Sequence, residues 1–490
     1  MRNLHLNVWI VLFFVIVGGL SSAQTVSSLE LSENPHSVLS ALVSFEVLGA
    51  PAGTEVRVRY ESEEETGETP AYPVEEGTQE VAVLGLLPET TYDVTVEVSG
   101  SSEAASRTES FTTGSLPEPL QNVTIEATGE SPEGYTLVET FLGPKFVFAF
   151  DGEGRIRWYK DFRNEPRGFE TKIQPNGNFT TYVGLSFGFQ PTYGKFIEYT
   201  PDGEELRTYS AQPPYYTDSH ELLLTTNEGG EVDYAHFFSY DLQPIDEAPP
   251  VGGDVGTRTA GHQLLRQSPE GDIDFFWNAW DHFGVEDWIE PRGSEEYEDF
   301  DHPNSLDIDE DGNYIVSMRS FGAVLKLNAK TGDLLWQLGG RKNQFEILDD
   351  PLNGFSAQHT AYMTDAGTLL ILDNGARHDP QQSRAVEYEL DLEAMTATMV
   401  WEFRPEGVYS PIVSSAERLQ NGNTLVGFGI PSQIYEVDAE GETLWEVAIT
   451  HKEGEDVVEG EEAAEGEEAD NSVPFYRANR LPSLYEYSVP

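Results

Sequence analysis

The sequence predicts an all-β protein in which a small β-sandwich precedes a six-bladed β-propeller. Two observations favour this fold class. Short strands that alternate apolar and polar residues fill the chain before residue 115, and a pair of hairpins recurs along the chain after residue 120. Hydrophobic residues make up 38% of the 490 residues and aromatic residues 11%, which is enough apolar material for sizeable cores.

The chain is strongly acidic and contains no cysteine. It has 28 Lys and Arg residues against 86 Asp and Glu residues, so its formal net charge is -58. Nucleic-acid binding requires the opposite sign of charge, and such acidity resembles that of proteins from salty surroundings. The lack of cysteine excludes disulfides, cysteine nucleophiles and thiolate metal sites. Because cations are scarce, each buried arginine is notable.

The first 23 residues resemble a secretory signal peptide. Arg2 precedes an apolar run over residues 8–20, and the small residues Ser21–Ala23 follow. The alternative is a membrane anchor, but the run is shorter than the ~20 residues that a spanning helix needs. We therefore expect cleavage after Ala23 and export to the periplasm or the cell exterior. No second apolar run of spanning length follows, so no membrane span is expected after cleavage.

Residues 28–115 are predicted to form the sandwich. The runs Val56–Tyr60 and Val94–Val98 alternate in the way of half-buried strands, and Gly, Pro and acidic turns separate them. The stretch Leu86–Tyr92 resembles the fibronectin type III signature, in which the tyrosine hydroxyl bonds back to the preceding corner. A fibronectin type III-like sandwich is therefore expected.

Residues 120–490 are predicted to form the propeller. One recurring hairpin turns at a glycine, with clear copies at residues 173–178, 306–313, 363–367 and 418–423 and looser copies at 131–134 and 225–229. A second hairpin follows each copy and usually ends in an aromatic residue. Pairing the hairpins predicts six four-stranded units, at residues 131–158, 171–206, 220–277, 304–336, 359–401 and 417–445. Six sheets repeated in this order are typical of propeller blades.

Two segments interrupt the repeat. An aromatic and acidic insert over residues 280–301 precedes the fourth unit, where it is expected to line a binding mouth. Residues 452–471 are dominated by Glu, Gly and Ala and are expected to form a solvated acidic loop.

Three histidines, His220, His302 and His359, are each predicted to lie just before the first strand of a unit. Counting back eight residues from the turn glycine reaches equivalent positions in four units, namely Glu221, Asn304, His359 and Ser414. The first strand of a propeller blade is normally the innermost. We therefore expect these positions to surround the axis at one mouth, with His220 and His302 slightly further out along the same entrance.

Arg319 is placed in this group by the geometry of its hairpin. If the turn spans residues 309–312, residues whose numbers sum to 621 face each other, and His302 then pairs with Arg319. Three imidazoles, the Asn304 carboxamide and a guanidinium around one pocket form an anion site, because all of these groups can donate hydrogen bonds.

A metal site is the main rival interpretation, since histidines are common ligands. A guanidinium beside a metal costs energy, so we expect neither a metal nor another cofactor. The other histidines lie outside the predicted ring and are interpreted as structural or as part of other segments: His5, His36, His236, His262, His282, His378 and His451.

Taken together, several motifs resemble those of the bacterial arylsulfotransferase family. The resemblance covers roughly residues 125–485, and its order of motifs is specific although each piece alone is weak. It rests on the segments 301–307, 317–320, 331–340, 358–360, 373–375, 383–384, 421–423, 476–478 and 483–485.

The resemblance implies transfer of a sulfuryl group from an aryl sulfate to a phenol, without a nucleotide donor. It assigns to His359 the role of the histidine that becomes transiently sulfated, and to His220, His302, Asn304 and Arg319 the binding of the sulfuryl oxygens. A further hydroxyl residue of the family has Ser414 or Ser415 as its counterpart by turn spacing.

Two alternatives stay open at this point. The first is a non-catalytic propeller that binds a sulfated or acidic polymer. The second is a hydrolase that uses the same site to transfer the sulfuryl group to water, although the usual sulfatase motif C/S-x-P-x-R is absent from the sequence. Both differ from a transferase in whether the sulfuryl group reaches a phenol.

Overall fold

In the computed structural model of the protein, the described residues are 24–75, 77–99, 105–140, 145–165, 168–184, 193–244, 258–290, 298–452 and 471–485. The predicted signal peptide, residues 1–23, lies outside them. So do residues 453–470, which are most of the predicted acidic loop, and residues 291–297 of the predicted insert. Strands dominate the described residues, which confirms the all-β fold class.

Contacts between Cα atoms divide the chain into two compact units. Unit 1 consists of Met1–Ser32, Leu42–Val81 and Thr91–Phe111, and unit 2 consists of Glu33–Ala41, Ala82–Thr90 and Thr112–Pro490. The predicted domain boundaries, 28–115 and 120–490, remain predictions.

Eight strands in the first part of the chain form two sheets, with the orders β1-β2-β6 and β4-β3-β7-β8, and β5 pairs with β3. Their bounds are β1 (Thr25–Asn34), β2 (Ser37–Leu48), β3 (Glu55–Glu61), β4 (Thr66–Glu68), β5 (Tyr72–Pro73), β6 (Thr78–Leu84), β7 (Thr91–Ser99) and β8 (Ala105–Thr112). Alternate residues are buried, as in Val56 and Val58 of β3, so the period-2 pattern of the sequence is the pattern of burial. The Tyr92 hydroxyl donates to Glu65 Oε1 at 2.6 Å.

Unit 2 contains six sheets among its described residues. Sheet 1 contains β10 (Tyr135–Thr140), β11 (Phe146–Asp151), β12 (Ile156–Asp161) and β35 (Phe475–Leu481). Sheet 2 contains β13 (Gly168–Ile173), β14 (Phe179–Val183), β15 (Lys195–Tyr199) and β16 (Glu205–Tyr209). Sheet 3 contains β17 (Tyr216–Thr226), β18 (Val232–Pro244), β19 (Arg258–Gln267) and β20 (Ile273–Asn278), and β21 (Glu298–Asp299) pairs with β19.

The other three sheets follow the same antiparallel order. Sheet 4 contains β22 (Pro303–Ile308), β23 (Tyr314–Met318), β24 (Ala323–Leu327) and β25 (Leu334–Gly339). Sheet 5 contains β27 (His359–Met363), β28 (Leu369–Asp373), β29 (Arg384–Asp391) and β30 (Thr396–Phe403), with β26 (Glu346–Leu348) parallel to β30. Sheet 6 contains β31 (Ser415–Arg418), β32 (Thr424–Phe428), β33 (Gln433–Val437), β34 (Thr443–His451) and β9 (Val123–Gly129).

The first predicted unit, residues 131–158, is wrong as a four-stranded unit. It supplies only β10, β11 and β12, and β35 from the C-terminal part of the chain pairs with β10 as the fourth strand. The preceding strand β9 does not join sheet 1 but pairs with β34 of sheet 6. Hydrogen bonds between early and late strands therefore tie the two ends of the repeat together, and no local hairpin pattern encodes that pairing.

One strand from each sheet contacts the corresponding strands of two neighbouring sheets. The contacts run in a closed cycle through β35, β13, β17, β22, β27 and β31. A closed cycle of sheets that meet through one strand each is the arrangement of propeller blades. In sheets 2 to 6 this strand is the first strand of the predicted unit, and in sheet 1 it is β35.

Apolar side chains fill the space between neighbouring sheets. Between sheets 4 and 5, Ile315 and Val324 pack with Ile371 and Val386, all of them fully buried. Between sheets 1 and 2, the Trp158 and Phe179 rings stack with centroids 4.7 Å apart. Such packing holds each sheet against its neighbours and fixes the ends of the first strands relative to one another.

Helices are few and short among the described residues. They are α1 (Glu118–Gln121) and two 3₁₀ turns, Ala279–Asp281 and Val285–Asp287. Within the part of the chain that the structure describes, none has the length and apolar character that crossing a membrane requires.

Candidate active site

The predicted ring residues lie in or directly before the first strands of sheets 3 to 6. His302 directly precedes β22, Asn304 is in β22 and His359 is the first residue of β27. The prediction that His220 lies just before a strand is wrong, because β17 already begins at Tyr216. All four side chains are buried, with at most 4% of each residue exposed. The ring centroids of His220 and His302 are 4.5 Å apart in an edge-to-face contact. The structure therefore brings the histidines of adjacent sheets into contact.

Arg319 lies opposite His302, as the hairpin geometry predicts. Pro303 pairs with Met318, and the Arg319 backbone amide donates to the His302 carbonyl oxygen at 2.9 Å. The guanidinium is buried and lies 3.2 Å from Glu290 Oε2 through Nη1. Glu290 belongs to the insert before β22, so the insert supplies a carboxylate to the site, a role that the sequence analysis did not assign.

His359 is held by contacts on both ring nitrogens. Its Nδ1 lies 2.7 Å from Asn374 Oδ1 and 3.2 Å from the Ala357 carbonyl oxygen. The Asn374 amide nitrogen donates to the carbonyl oxygens of Ser410 and Val413, so its oxygen faces the imidazole. Because both neighbours of Nδ1 are acceptors, Nδ1 carries the proton and Nε2 carries the lone pair.

The other nitrogen, His359 Nε2, accepts a hydrogen bond from the Val413 backbone amide at 3.2 Å. Burial lowers the pKa of His359 well below its usual range, and the charges of Arg319, His302 and His220 lower it further. The imidazole is therefore neutral, and the three predicted anion-binding groups are near enough to act on it electrostatically.

His220 and His302 each hold a carboxylate through Nδ1. His220 Nδ1 lies 2.9 Å from Asp218 Oδ1, and His302 Nδ1 forms a hydrogen bond with Asp299 Oδ2. A carboxylate can only accept, so each Nδ1 donates a hydrogen bond and the orientation of each ring is set by its aspartate. Neither aspartate was predicted as a site residue, although Asp218 lies two residues before His220 and Asp299 three residues before His302.

His262 lies between the hydrogen-bond networks of His220 and His302. Its Nε2 lies 3.5 Å from Asp218 Oδ2, and its Nδ1 forms a hydrogen bond with Asp301 Oδ1. Asp301 also accepts from the His302 backbone amide at 3.0 Å. Burial alone would lower the pKa of His262, but Asp301 and Asp218 raise it to about 10. The histidine interpreted as structural from the sequence is thus a buried cation that supports both neighbouring histidines.

Asn304 and Ser414 use their side chains within the protein. The Asn304 amide nitrogen donates to the Gln358 carbonyl oxygen at 2.8 Å, whereas its Oδ1 has no hydrogen-bond partner among the described residues. The Ser414 hydroxyl donates to Ser410 Oγ at 2.9 Å and accepts from the Gly429 amide at 3.0 Å. The Ser415 hydroxyl, the other predicted counterpart, faces strand β35 instead and donates to the Ala478 carbonyl oxygen.

The backbone around the site is strained. Non-glycine residues rarely adopt a positive φ, and such residues cluster at functional sites. Five of them lie at the ends of the first strands or next to His359: His302 (φ 47°), Ala357 (52°), Thr360 (40°), Val413 (56°) and Ser414 (88°).

Strand β35 brings two further residues to the site. The Tyr476 ring lies with its centroid 6.2 Å from that of His220 and 6.5 Å from that of His359. Arg477 donates to the backbone carbonyl oxygens of Asn304 at 2.8 Å and His220 at 3.3 Å. These contacts depend on the pairing of β35 with β10, so no local signal in the sequence could assign them.

One group in the described residues has the composition of a metal site, namely His262, Asp299 and Asp301. Its ligand atoms are already engaged, because His262 Nδ1 binds Asp301 and Asp299 Oδ2 binds His302. In this structure these donor atoms belong to the hydrogen-bonded network around His302.

Comparison with known proteins gives a consistent family. Residues 121–473 match the family model described as arylsulfotransferase (ASST). The protein is 41% identical over 365 residues to arylsulfate sulfotransferase AssT of Escherichia coli, covering 60% of this chain and 58% of that protein. It is 25% identical over 361 residues to AssT of Lelliottia amnigena, with coverage of 60% and 58%. The chain thus spans less than two thirds of the length of these relatives.

Solved structures resemble the chain only distantly. A Bacteroides caccae protein of unknown function has a TM-score of 0.39 at 15% identity, covering 64% of this chain and 93% of that one. A virginiamycin B lyase from Staphylococcus aureus has a TM-score of 0.32 at 10% identity, covering 73% and 91%.

Proposed function

The chain belongs to the arylsulfotransferase family, and from this membership we propose that it transfers a sulfuryl group from a phenolic sulfate ester to a phenol. The transfer proceeds through a sulfated His359 and needs no nucleotide donor. His220, His302, Asn304 and Arg319 bind the sulfuryl oxygens. Because residues 1–23 resemble a secretory signal peptide, the proposal includes export of the protein to the periplasm or the cell exterior.

The observation that carries this proposal is the state of His359. Its Nδ1 proton is directed to Asn374 Oδ1 at 2.7 Å, and burial together with nearby cationic groups holds its pKa well below the usual range. The imidazole is therefore neutral with its lone pair on Nε2, which is the form that attacks an electrophile.

In the first half-reaction, His359 Nε2 bonds to sulfur while the bond between sulfur and the phenolic oxygen breaks. The leaving phenoxide takes the Nε2 proton of His220 or His302, which acts as an imidazolium and becomes neutral while its Nδ1 proton stays hydrogen-bonded to Asp218 or Asp299. In the second half-reaction the acceptor hydroxyl returns that proton, its oxygen bonds to sulfur and the bond from sulfur to Nε2 breaks. Ping-pong kinetics follow from this sequence.

Negative charge spreads over the sulfuryl oxygens in the transition state. The Arg319 guanidinium and the Nε2 atoms of His220 and His302 are held in place before substrate binds, so they stabilise that charge without reorganising. The network behind them, with His262 between Asp218 and Asp301, keeps the orientation of both imidazoles.

In this proposal the Val413 backbone amide changes its hydrogen-bond partner during the reaction. It donates to His359 Nε2 at 3.2 Å in the free site, and this hydrogen bond has to break before Nε2 can attack. Once the new bond to sulfur forms, the amide is positioned to donate to a sulfuryl oxygen. A backbone donor that moves from the nucleophile to the transferred group stabilises the transferred charge more than the resting state.

The test is a transfer assay with 4-nitrophenyl sulfate as donor and phenol as acceptor, without any nucleotide. We expect release of nitrophenol that depends on phenol, and mass spectrometry of donor-only mixtures should show a sulfated peptide containing His359. His359→Ala should abolish both signals. His282→Ala is the matched control, because His282 is an exposed histidine outside the ring.

The same assay separates the alternatives. A hydrolase would release nitrophenol and sulfate at the same rate without phenol, and a polymer-binding propeller would release neither. Full transfer activity in His359→Ala would refute the assignment of the nucleophile while leaving the family unchanged.

A further inference from the structure

Two arginines differ from the others in this acidic chain. The chain has 86 acidic residues against 28 Lys and Arg residues, and most described arginines pair with a carboxylate. Among the residues that the structure describes, Arg341 and Arg377 make no ion pair. The Arg341 side chain donates only to the Trp288 carbonyl oxygen at 3.4 Å, and the described contact of Arg377 is made by its backbone amide.

Both arginines line the same cavity, which has a volume of about 460 Å³. Its walls include the apolar side chains of Ile289, Ile347 and Phe355. A volume of this size accommodates a small aromatic molecule, and a mixture of apolar walls with a few charged groups is typical of small-molecule sites. Two guanidinium groups without carboxylate partners leave their donors available to an anionic group of a ligand.

The cavity adjoins the candidate active site through the backbone. Gly322 lines the cavity, and its amide donates to the Arg319 carbonyl oxygen at 3.0 Å. Ile289 directly precedes Glu290, which pairs with the Arg319 guanidinium. Gly322 of the cavity wall therefore lies in the same loop as Arg319. Ile289 of the cavity wall lies in the insert that supplies Glu290, the partner of Arg319.

Another part of the cavity wall belongs to the segments that carry His359 and Asn374. Phe355 lies four residues before His359 in the segment that enters β27, and the Arg377 amide donates to Ser356 Oγ at 3.0 Å. Arg377 follows Asn374, the residue that orients His359, by three positions. The cavity thus lies at the end of sheets 4 and 5 that carries Arg319 and His359.

We propose that this cavity is a subsite for the aromatic part of substrates that carry a second anionic group, a carboxylate or a further sulfate, which Arg341 and Arg377 bind. This inference rests on the proposed transferase function and names its preferred substrate class. The apolar walls contact the ring, and the guanidinium groups bind the anionic substituent in a bidentate manner.

The net charge of -58 favours local cations at any site that binds an anionic substrate. The field of the chain repels anions, and nearby cations oppose that repulsion. Arg341 and Arg377 are exposed and form no ion pair among the described residues, so no carboxylate there reduces their attraction for an anion.

The test compares two acceptors that differ in charge, 4-hydroxybenzoate and its neutral methyl ester, with 4-nitrophenyl sulfate as donor. We expect wild-type protein to prefer the carboxylate, measured as the ratio of the two kcat/KM values. The double variant Arg341→Gln/Arg377→Gln should lower that ratio about tenfold, which corresponds to the loss of one charge-assisted contact. Arg341→Lys/Arg377→Lys should keep part of the preference because the charge remains.

Lys330→Gln is the matched control. Lys330 is also exposed and has no ion pair among the described residues, but it lies in the turn between β24 and β25 at the opposite end of sheet 4. Its replacement removes one of the two positive charges that the double variant removes, and it should leave the acceptor ratio unchanged. An equal drop in Lys330→Gln would mean that only the overall charge matters and would overturn the subsite.

Calorimetric binding of 4-hydroxybenzoate to protein without donor provides a readout that does not need turnover. If wild-type protein binds this anion and the double variant binds it about tenfold more weakly, the subsite stands even where no transfer occurs, and the proposed function alone fails. If transfer occurs but the double variant keeps both the acceptor ratio and the binding constant, the subsite is wrong and the proposed function stands.

Discussion

Asn374 Oδ1 lies 2.7 Å from His359 Nδ1, and this contact decides which nitrogen of the imidazole can react. Asn374 is itself held by the carbonyl oxygens of Ser410 and Val413, so its amide cannot turn to present its nitrogen. The orientation of one carboxamide therefore sets the tautomer of the proposed nucleophile. Three predictions concern such neighbours of the site, and a fourth concerns a buried carboxylate elsewhere in unit 2.

Replacing Asn374 by Asp should make the activity depend on pH. A carboxylate beside Nδ1 raises the pKa of His359, which burial and neighbouring charges hold well below its usual range in the wild type. The protonated imidazole has no lone pair on Nε2, so kcat/KM of the variant should fall as the pH is lowered from about 8 to about 6, whereas the wild type should lose less. The pH profile of transfer to phenol measures this difference.

Asn374→Ala provides the comparison for that profile. It removes the acceptor without adding charge, so it should reduce kcat at every pH in the same range without introducing a new acid limb. A profile of Asn374→Asp parallel to that of Asn374→Ala would contradict the proposed link between residue 374 and the protonation of His359.

Replacing His262 by Asn should destabilise the protein and lower kcat. The imidazolium lies between Asp218 and Asp301, and its removal leaves two buried carboxylates without their shared cation. Breaking a buried ion pair on one side costs about 3–5 kcal/mol. Thermal unfolding measures the stability, and the transfer assay measures kcat.

The pH dependence of that loss has a defined sign. The pKa of His262 is raised to about 10 in the folded protein, so its contribution is fully present below its unfolded pKa and is lost as the pH rises through the folded value. The stability difference between wild type and His262→Asn should therefore be larger near pH 6 than near pH 10. A difference that grows with pH would exclude a cationic His262.

Replacing Arg477 by Met should destabilise the protein strongly. Its guanidinium lies 2.8 Å from Glu221 and 3.2 Å from Glu170, both fully buried, and it also binds the carbonyl oxygens of His220 and Asn304. The substitution leaves Glu170 without an ion pair among the described residues and leaves Glu221 with Lys172 alone, which should cost about 3–5 kcal/mol in denaturant unfolding.

A double variant separates charge from geometry at this position. Arg477→Met combined with Glu170→Gln removes the carboxyl group that has no other ion pair among the described residues, so part of the lost stability should return. The transfer activity should not return to the same extent, because the carbonyl oxygens of His220 and Asn304 still lack their donor. Recovery of stability and kcat together would show that Arg477 does not position the site.

Glu139 should destabilise the fold at neutral pH. Its side chain is buried and neither carboxylate oxygen has a hydrogen-bond partner among the described side-chain contacts. Burial raises its pKa to about 8, although Arg477 partly opposes the shift. An acid whose folded pKa is raised weakens the fold as the pH rises from its unfolded pKa of 4.5 to its folded value.

Glu139→Gln should therefore raise the thermal midpoint at about pH 8, where it should increase the free energy of unfolding by roughly 1–3 kcal/mol. At about pH 4.5 the substitution should change the midpoint little. The measurement is thermal unfolding at both pH values. If the midpoint shifts equally at both pH values, the cause is a change in packing and not the removal of a buried charge.

The hairpin repeat allowed much of the fold to be predicted. The strands of sheets 2 to 6 fall where the glycine turns and aromatic ends place them, because the turn and strand patterns are local. Sheet 1 was predicted incorrectly, since its fourth strand β35 comes from the other end of the chain. A pairing between residues more than 300 positions apart leaves no local pattern to detect.

The site shows the same division. Hairpin arithmetic placed Arg319 opposite His302, and turn spacing placed Asn304 and His359 at the ends of first strands; the structure bears out these positions. The sequence alone did not identify Glu290 or the hydrogen-bond partners of the histidines, because an aspartate or an asparagine near a histidine in sequence has many possible orientations.

By itself, the sequence determined the all-β class, the repeated hairpins and the strand ends at which His302 and His359 lie, because strand alternation and glycine turns act over a few residues. Only the tertiary structure decided that β35 completes sheet 1, that His262 is a buried cation between Asp218 and Asp301, and that Nε2 of His359 carries the lone pair. These features depend on burial and on hydrogen bonds between distant segments, and such interactions exist only once the sheets have packed around a common centre.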